Sequence, residues 1–304
     1  MKLWFLTILI LFSSASFAQN DTVEVGRNII TLSGIVVGRK LDVPAFIQKV
    51  KDDTSFYKAF RNLRILGFTA INDIRMLDRK GGLKASLNSK TRQVRKDSCR
   101  TMEIISEKVT GDMFTAGRGF NYYTAQMYAS SFFTYGKVCN ETNIVGDRTF
   151  SLKNKAGMEK RKEQLKMLIF DPGSRIGGLP FISNKTAIFS NRMADDYIMN
   201  ISYEEFNGIQ CYVFHQKAKP ASSGKVLIDE MTTWFNDRTF DIVGRNYSLS
   251  YDAGVYDFKV SMEVKMELFG ELTVPTLIRY VGDWKVIGKK RERGVFTATL
   301  FDFN

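Results

Sequence analysis

Between Tyr256 and Phe269 the chain alternates without a break. Phe258, Val260, Met262, Val264, Met266 and Leu268 fall on one parity, and Asp257, Lys259, Ser261, Glu263, Lys265 and Glu267 on the other. Successive side chains of a strand point to opposite faces, so a period of two makes one apolar face and one charged face. A helix would scatter both sets around its axis. A strand wet on one side belongs to an antiparallel sheet, since parallel sheets are covered on both faces. A strand this much longer than the usual ~5–6 residues twists, and the sheet that holds it curves.

The flanking segments repeat the theme. Gly270-Glu271 turns the chain into Leu272–Tyr280, which carries Ile278 and Tyr280. Gly282-Asp283 is expected to turn it again, and Val295–Phe303 alternates once more. Upstream, Tyr197–Ser202, Gln210–Gln216, Lys225–Asp229 and Asp241–Ser250 are strand candidates separated by Gly, Pro, Asn or Ser. Nearer the start, Ile29–Val37, Ala70–Leu77, Leu83–Leu87 and Met102–Val109 read as strands, with Gly81-Gly82 as a turn.

Two stretches change the period. Asp42 suits an N-cap and Pro44 a first turn, with Phe46, Ile47 and Val50 on one face. Asp52-Asp53-Thr54 breaks the helix and restarts it through Phe56, Phe60 and Leu63, and Gly67 ends it. Ala156–Phe170 is a second helix, charged at its start, apolar at its end, and stopped by Asp171-Pro172-Gly173. Phe114–Tyr135, crowded with aromatic residues, fits either core or a lid over a pocket. The sum is an α+β fold: a curved antiparallel sheet, a half-open barrel, with helices packed on or plugging its concave face.

The ends bear on the compartment. Lys2, the apolar run Leu3–Phe12 and the small residues of Ser16-Phe17-Ala18 form the pattern of a secretory signal peptide cleaved after Ala18. The run is shorter than the roughly 20 residues of a spanning helix. No Cys follows it, against a lipid-anchored form. The protein is therefore expected in the periplasm or secreted, with residues 19–304 as one domain and no linker or repeat dividing them. A hydrophobic share of 44% suits a packed core. Losing Lys2 lowers the formal net charge from +12 to +11. In an exported chain that argues against nucleic acid. It leaves solvated faces or peripheral contact with an anionic membrane surface. Basic runs stand at Lys90–Arg100, Lys160–Lys166 and Lys289–Arg293. A monomer is expected.

An oxidising compartment permits a disulfide, for which Cys99 and Cys139, both in polar turn-like settings, are the candidates. Cys211, inside the strand-like Ile209–Val213, reads as a buried small hydrophobe.

Conventional chemistry finds little to work with. His215 is the single histidine, which removes multi-histidine metal sites. No nucleophile elbow accompanies it, and no Cys-x-x-Cys exists. Ser222-Ser223-Gly224-Lys225 matches Ser-x-x-Lys but lies in a polar loop after Pro220, where it reads as a turn. Gly117-Arg118-Gly119 lacks a third glycine, and no phosphate loop is present. Asp52-Asp53, Asp195-Asp196 and Glu204-Glu205 are adjacent acids whose side chains diverge. No catalytic residue, metal site or cofactor is expected.

From Ala156 onward, the order of helix, loop and long meandering strands resembles the LolA/LolB-like periplasmic lipoprotein-carrier fold. The likeness runs through Glu205-Phe-Asn-Gly-Ile-Gln-Cys-Tyr-Val213, Val226-Leu-Ile-Asp229, Trp234, Arg238 and Leu272-Thr-Val-Pro275-Thr-Leu-Ile-Arg-Tyr280. The whole chain also resembles an uncharacterised family of exported bacterial proteins. The resemblance covers about half the chain. It implies a helix-plugged half-barrel whose concave apolar face holds acyl chains, and it carries over no individual binding residue. On that footing the expected function is a periplasmic carrier or sensor for a lipid or lipoprotein acyl chain. Phe258, Val260, Met262, Val264, Met266, Leu268, Ile278 and Tyr280 are its cavity-lining candidates. Two alternatives stand beside it: a structural or assembly protein docking at the outer membrane, and a hydrolase with a dispersed carboxylate site.

Overall fold

The computed structural model describes residues 21–144, 168–173, 185, 188, 193–253, 256–286 and 290–304. The leader and its cleavage site lie outside the described residues, as does most of the helix expected over Ala156–Phe170 together with Lys160–Lys166. Of that helix, 168–170 is helical and a turn follows at 171–173.

The elements in chain order are β1 (Asp21–Val25), β2 (Asn28–Leu32), α1 (Gly34–Gly38), α2 (Val43–Asp52), α3 (Ser55–Asn62), β3 (Phe68–Leu77), β4 (Leu83–Lys96), β5 (Cys99–Gly111), α4 (Tyr123–Phe132), β6 (Val138–Cys139), β7 (Tyr197–Phe206), β8 (Ile209–Ala218), β9 (Ile228–Asn236), β10 (Ile242–Ala253), β11 (Tyr256–Phe269), β12 (Leu272–Val286) and β13 (Glu292–Phe301). The strands make one sheet in the order β1-β2-β7-β8-β9-β10-β11-β12-β13-β3-β4-β5-β6. Every pair is antiparallel except β2 with β7. The sheet curves but does not close, so the expected α+β half-barrel with helices on one face is the architecture observed.

Local rules account for most boundaries. Asp42 caps α2, its Oδ1 accepting from Ala45 N at 3.0 Å, and Pro44 sits in the first turn. The break before α3 is held by Asp53, whose Oδ1 accepts from Ser55 N (3.1 Å) and Oγ (2.6 Å). Helix α3 ends at Asn62 rather than Gly67. Gly67 instead exchanges backbone hydrogen bonds with Asn304 at 2.9 and 3.0 Å.

Several expectations need correction. Gly282-Asp283 is not a turn: β12 runs through it to Val286. Gly282 is required because the ring of Tyr280 lies across its Cα, where any Cβ would collide with it. The strand expected at Lys225–Asp229 begins only at Ile228 and continues through Trp234 to Asn236. The strand expected over Ile29–Val37 stops at Leu32, and Gly34–Gly38 coils instead. Within Phe114–Tyr135, a bridge joins Phe114 to Phe120 and α4 follows.

Cys99 and Cys139 face each other across β5 and β6 and form the disulfide expected of them. Cys211 is buried and free. Burial is the main cause that pushes its thiol up to about 11, which makes it unreactive. No helix among the described residues is long and apolar enough to cross a membrane.

Candidate functional site

The inward parity of β10 to β13 makes the floor of the half-barrel. Tyr247, Leu249, Phe258, Val260, Met262, Val264, Ile278, Tyr280, Phe296 and Ala298 are all buried there. Rings dominate its lower half: Tyr280 stacks on Phe296 at 4.8 Å, and Phe258 on Trp284 at 4.6 Å. The roof is α4, which presents Met127, Tyr128 and Phe132 to this floor. Tyr128 meets Phe296 at 4.7 Å.

Helix α4 is fastened by polar contacts. Its own N-cap, Tyr122, offers no side-chain acceptor. Glu292 of β13 takes that place from across the sheet, accepting from Tyr123 N (3.0 Å), Thr124 N (2.8 Å) and Thr124 Oγ1 (2.7 Å). A carboxylate at a helix start also meets the positive end of the helix dipole. Midway, Tyr128 OH donates to Asn72 Oδ1 at 3.1 Å, while Asn72 Nδ2 donates to Thr91 at 3.2 Å. Burial drives the Tyr128 phenol far up, so it stays a donor. Past the helix, Thr134 donates to Gln93 Oε1 at 2.9 Å, and Arg100 pairs with Glu141 at 2.6 Å. The Cys99–Cys139 disulfide closes this end.

Between roof and floor lies a cavity of about 20 Å³. Its lining includes Met127, Ser131, Phe132, Phe170, Met262, Ile278 and Tyr280. Of the eight residues expected to line a ligand site, Met262, Ile278 and Tyr280 are brought to it. Phe258, Val260, Val264 and Met266 are packed core. Leu268 is a correction: it is 59% exposed. Pairing of β10 with β11 ends at Lys265, so the tip of the β11–β12 hairpin overhangs and leaves Leu268 uncovered.

No protein-family model matches the chain, and no curated protein does. Among solved structures it is similar to a DUF1329 family protein from Desulfovibrio piger, at 12% identity and a TM-score of 0.26, over 83% of this chain and 93% of that one. It is similar also to a domain from Vibrio parahaemolyticus described as an outer membrane lipoprotein-sorting protein, at 7% identity and a TM-score of 0.26, over 86% and 90%. Likenesses of this score say nothing of what the chain binds.

Beside Asn72, Thr91 and Gln93, two further polar residues on the inner face escaped the reading of the strands. Arg245 is buried with its guanidinium 4.4 Å from the Phe56 ring centroid. Its Nε donates to Thr233 Oγ1 at 2.9 Å, and Asp53 lies at 3.9 Å. Burial holds it below the usual arginine value, opposed by Asp53 and Asp171. Gln216 is wholly buried, and neither atom of its amide has a partner. Both stand in phase with apolar neighbours, Tyr247 and Leu249 in one case and Tyr212 and Phe214 in the other. That phase was the available signal.

The rest offers little to a reaction. His215 pairs with Glu230 at 2.7 Å. Ser222 closes a one-turn helix from Pro220, so the Ser-x-x-Lys match is the turn expected. Asp229 is raised, chiefly by burial, with the Ser250 hydrogen bond and the Lys259 charge opposing it. Among the described residues no three His, Cys, Asp or Glu gather to hold a metal.

Proposed function

We propose that the protein is a non-enzymatic carrier or sensor for a hydrophobic ligand, a lipid or lipoprotein acyl chain, working in the periplasm. The amino-terminal pattern of Lys2, Leu3–Phe12 and Ser16-Phe17-Ala18 supports export. One observation carries the binding reading: an apolar sheet face is covered by α4 beside α3 and residues 169–170, with an apolar gap left under α4. A gap of about 20 Å³ has room for about one water, not an acyl chain. The ligand therefore takes the space that α4 vacates, and α4 acts as a plug whose fastenings are polar and reversible.

The test is native mass spectrometry, with lipid extraction, on the mature protein purified from its own periplasm without detergent. The reading expects a co-purifying lipid or acylated peptide. It expects loss of that ligand from Ser131→Leu, which adds apolar contact between α4 and the floor and so holds the plug down. A bare protein, and a wild type and Ser131→Leu that bind an apolar dye equally, would overturn it.

A further inference from the structure

Within the first basic run, Lys90–Arg100, the residues Thr91, Gln93 and Arg100 serve the fastening of α4, and the others have no part in the plugged cavity. The run's even members lie on the convex face of β4: Lys90, Arg92, Val94 and Lys96, where alternate residues stand ~7 Å apart. The pairing shows the face. Lys90 is opposite Ile71, which is 51% exposed, while the odd neighbours Thr91 and Gln93 point inward and are buried. Lys108 of β5, opposite the exposed Asn88, joins the same face.

No carboxylate claims these cations, although Lys90 Nζ lies over the Phe301 ring, 5.9 Å from its centroid. Lys90, Arg92, Lys96 and Lys108 form no ion pair among the described residues. The acids nearest in register are Glu103, opposite Arg92, and Asp97 in the turn after Lys96. Asp73, two residues from Ile71, is engaged by Arg75. By contrast the last basic run is occupied: Arg291 and Arg293 both bind Asp283, at 2.6 and 2.7 Å, and Arg291 also binds Asp257.

We propose that the convex face of β3–β5, with Lys90, Arg92, Lys96 and Lys108 set around Ile71 and Val94, docks the protein on an anionic phospholipid surface. Charge selects a polyanion. The exposed Ile71 and Val94 between the cations favour lipid over a hydrated acidic polysaccharide, because they gain only where head groups give way to acyl chains. The assignment stands apart from the cavity beneath α4, which lies on the other face of the sheet.

The experiment is flotation of the mature chain with vesicles of phosphatidylglycerol and phosphatidylcholine, against phosphatidylcholine alone, at rising salt. Binding to the anionic vesicles is expected, weakening as salt rises. Arg92→Glu with Lys96→Glu, both exposed, should lower partitioning roughly twentyfold or more, from about fivefold per basic residue. Lys225→Glu, in the turn before β9, makes half that change of charge elsewhere and should matter little. Ile71→Asn should weaken binding several-fold at every salt concentration. Equal binding to both vesicle types would overturn the proposal. So would an equal loss in Lys225→Glu, or polygalacturonate displacing the vesicles with an affinity that Ile71→Asn leaves unchanged. Melting curves confirm that each variant folds.

Discussion

At the scale of single residues, the inner face is not uniformly apolar, and its exceptions are the most testable parts of the core. Gln216 gains nothing from its amide, which is buried with no partner at either end. A buried polar group left unsatisfied costs about 1–3 kcal/mol. Gln216→Leu, of similar volume, is therefore expected to stabilise the protein by roughly 1 kcal/mol, seen as a higher urea midpoint with an unchanged slope. Asp229 gives a pH test. Burial, its main cause, raises this carboxyl above the ordinary 3.8, against the hydrogen bond from Ser250 Oγ at 2.7 Å. A carboxyl that holds its proton more tightly when folded favours the folded state below the unfolded value. That advantage is lost as pH rises through the folded value. Asp229→Asn removes the loss. Its midpoint should match wild type in acid and exceed it increasingly from about pH 4 toward neutrality, and a constant gap across that window would contradict the assignment. Arg245 and Gln216 were both readable, since each falls on the parity of its apolar neighbours. What alternation did not supply was a reason for a charge to be inside, because Phe56 and Asp53 come from α3 and the break before it, far away in the chain.

At the scale of elements, legibility follows the range of the interaction that decides the outcome. Strand β11 was plain because twelve consecutive positions obey one local period, and the pair α2 and α3 because capping and a break are encoded within a few residues. The bounds of β11 were right but the burial of Leu268 was misjudged, since it obeys the period yet lies past Gly244, where pairing with β10 ends. Gly282 was misjudged because its neighbour Tyr280, not a bend, demands it. Helix α4 was ambiguous for the same reason: its N-terminal acceptor is Glu292, far along the chain. Removing that acceptor tests the latch. Glu292→Ala should cost about 1–2 kcal/mol and speed hydrogen exchange at residues 123–127 ahead of the sheet. Glu292→Gln, which keeps an acceptor and loses the charge, should fall between. Uniform exchange across sheet and helix would mean that α4 does not move alone. At its other end, the disulfide closes a separation of 40 residues. Replacing both Cys99 and Cys139 with Ala is expected to lower stability by about 2–5 kcal/mol in thermal or urea unfolding.

At the scale of the whole molecule, an unclosed sheet has two edges, and the one at β5 is the more exposed. Beyond Cys99 and Arg100, which pair with β6, β5 has no strand on its far side among the described residues. It also shows Ile104 and Ile105, 59% and 46% exposed. Such an edge is a template for another strand, and soluble proteins blunt it with bulges and charges. Both devices are present. Ser106 pairs with Lys90 and Ile104 with Thr91, so Ile105 is an extra, bulged residue. Glu103 and Glu107 stand on either side of it, and Glu107 is held by Arg118 at 2.7 Å. Antiparallel pairing of two copies centred on Ile105 would bring Glu103 of each against Glu107 of the other, and like charges directly opposed are destabilising. The edge is thus guarded against its own kind by its acids and its bulge together. Glu103→Thr with Glu107→Thr removes the repulsion, leaves the isoleucines in place and raises β propensity. Analytical ultracentrifugation should then show a concentration-dependent dimer where wild type stays a monomer. If the double variant also stays a monomer at the highest concentration reached, the bulge at Ile105 alone is enough to keep the edge closed. If wild type already dimerises, the guard assigned to Glu103 and Glu107 is wrong.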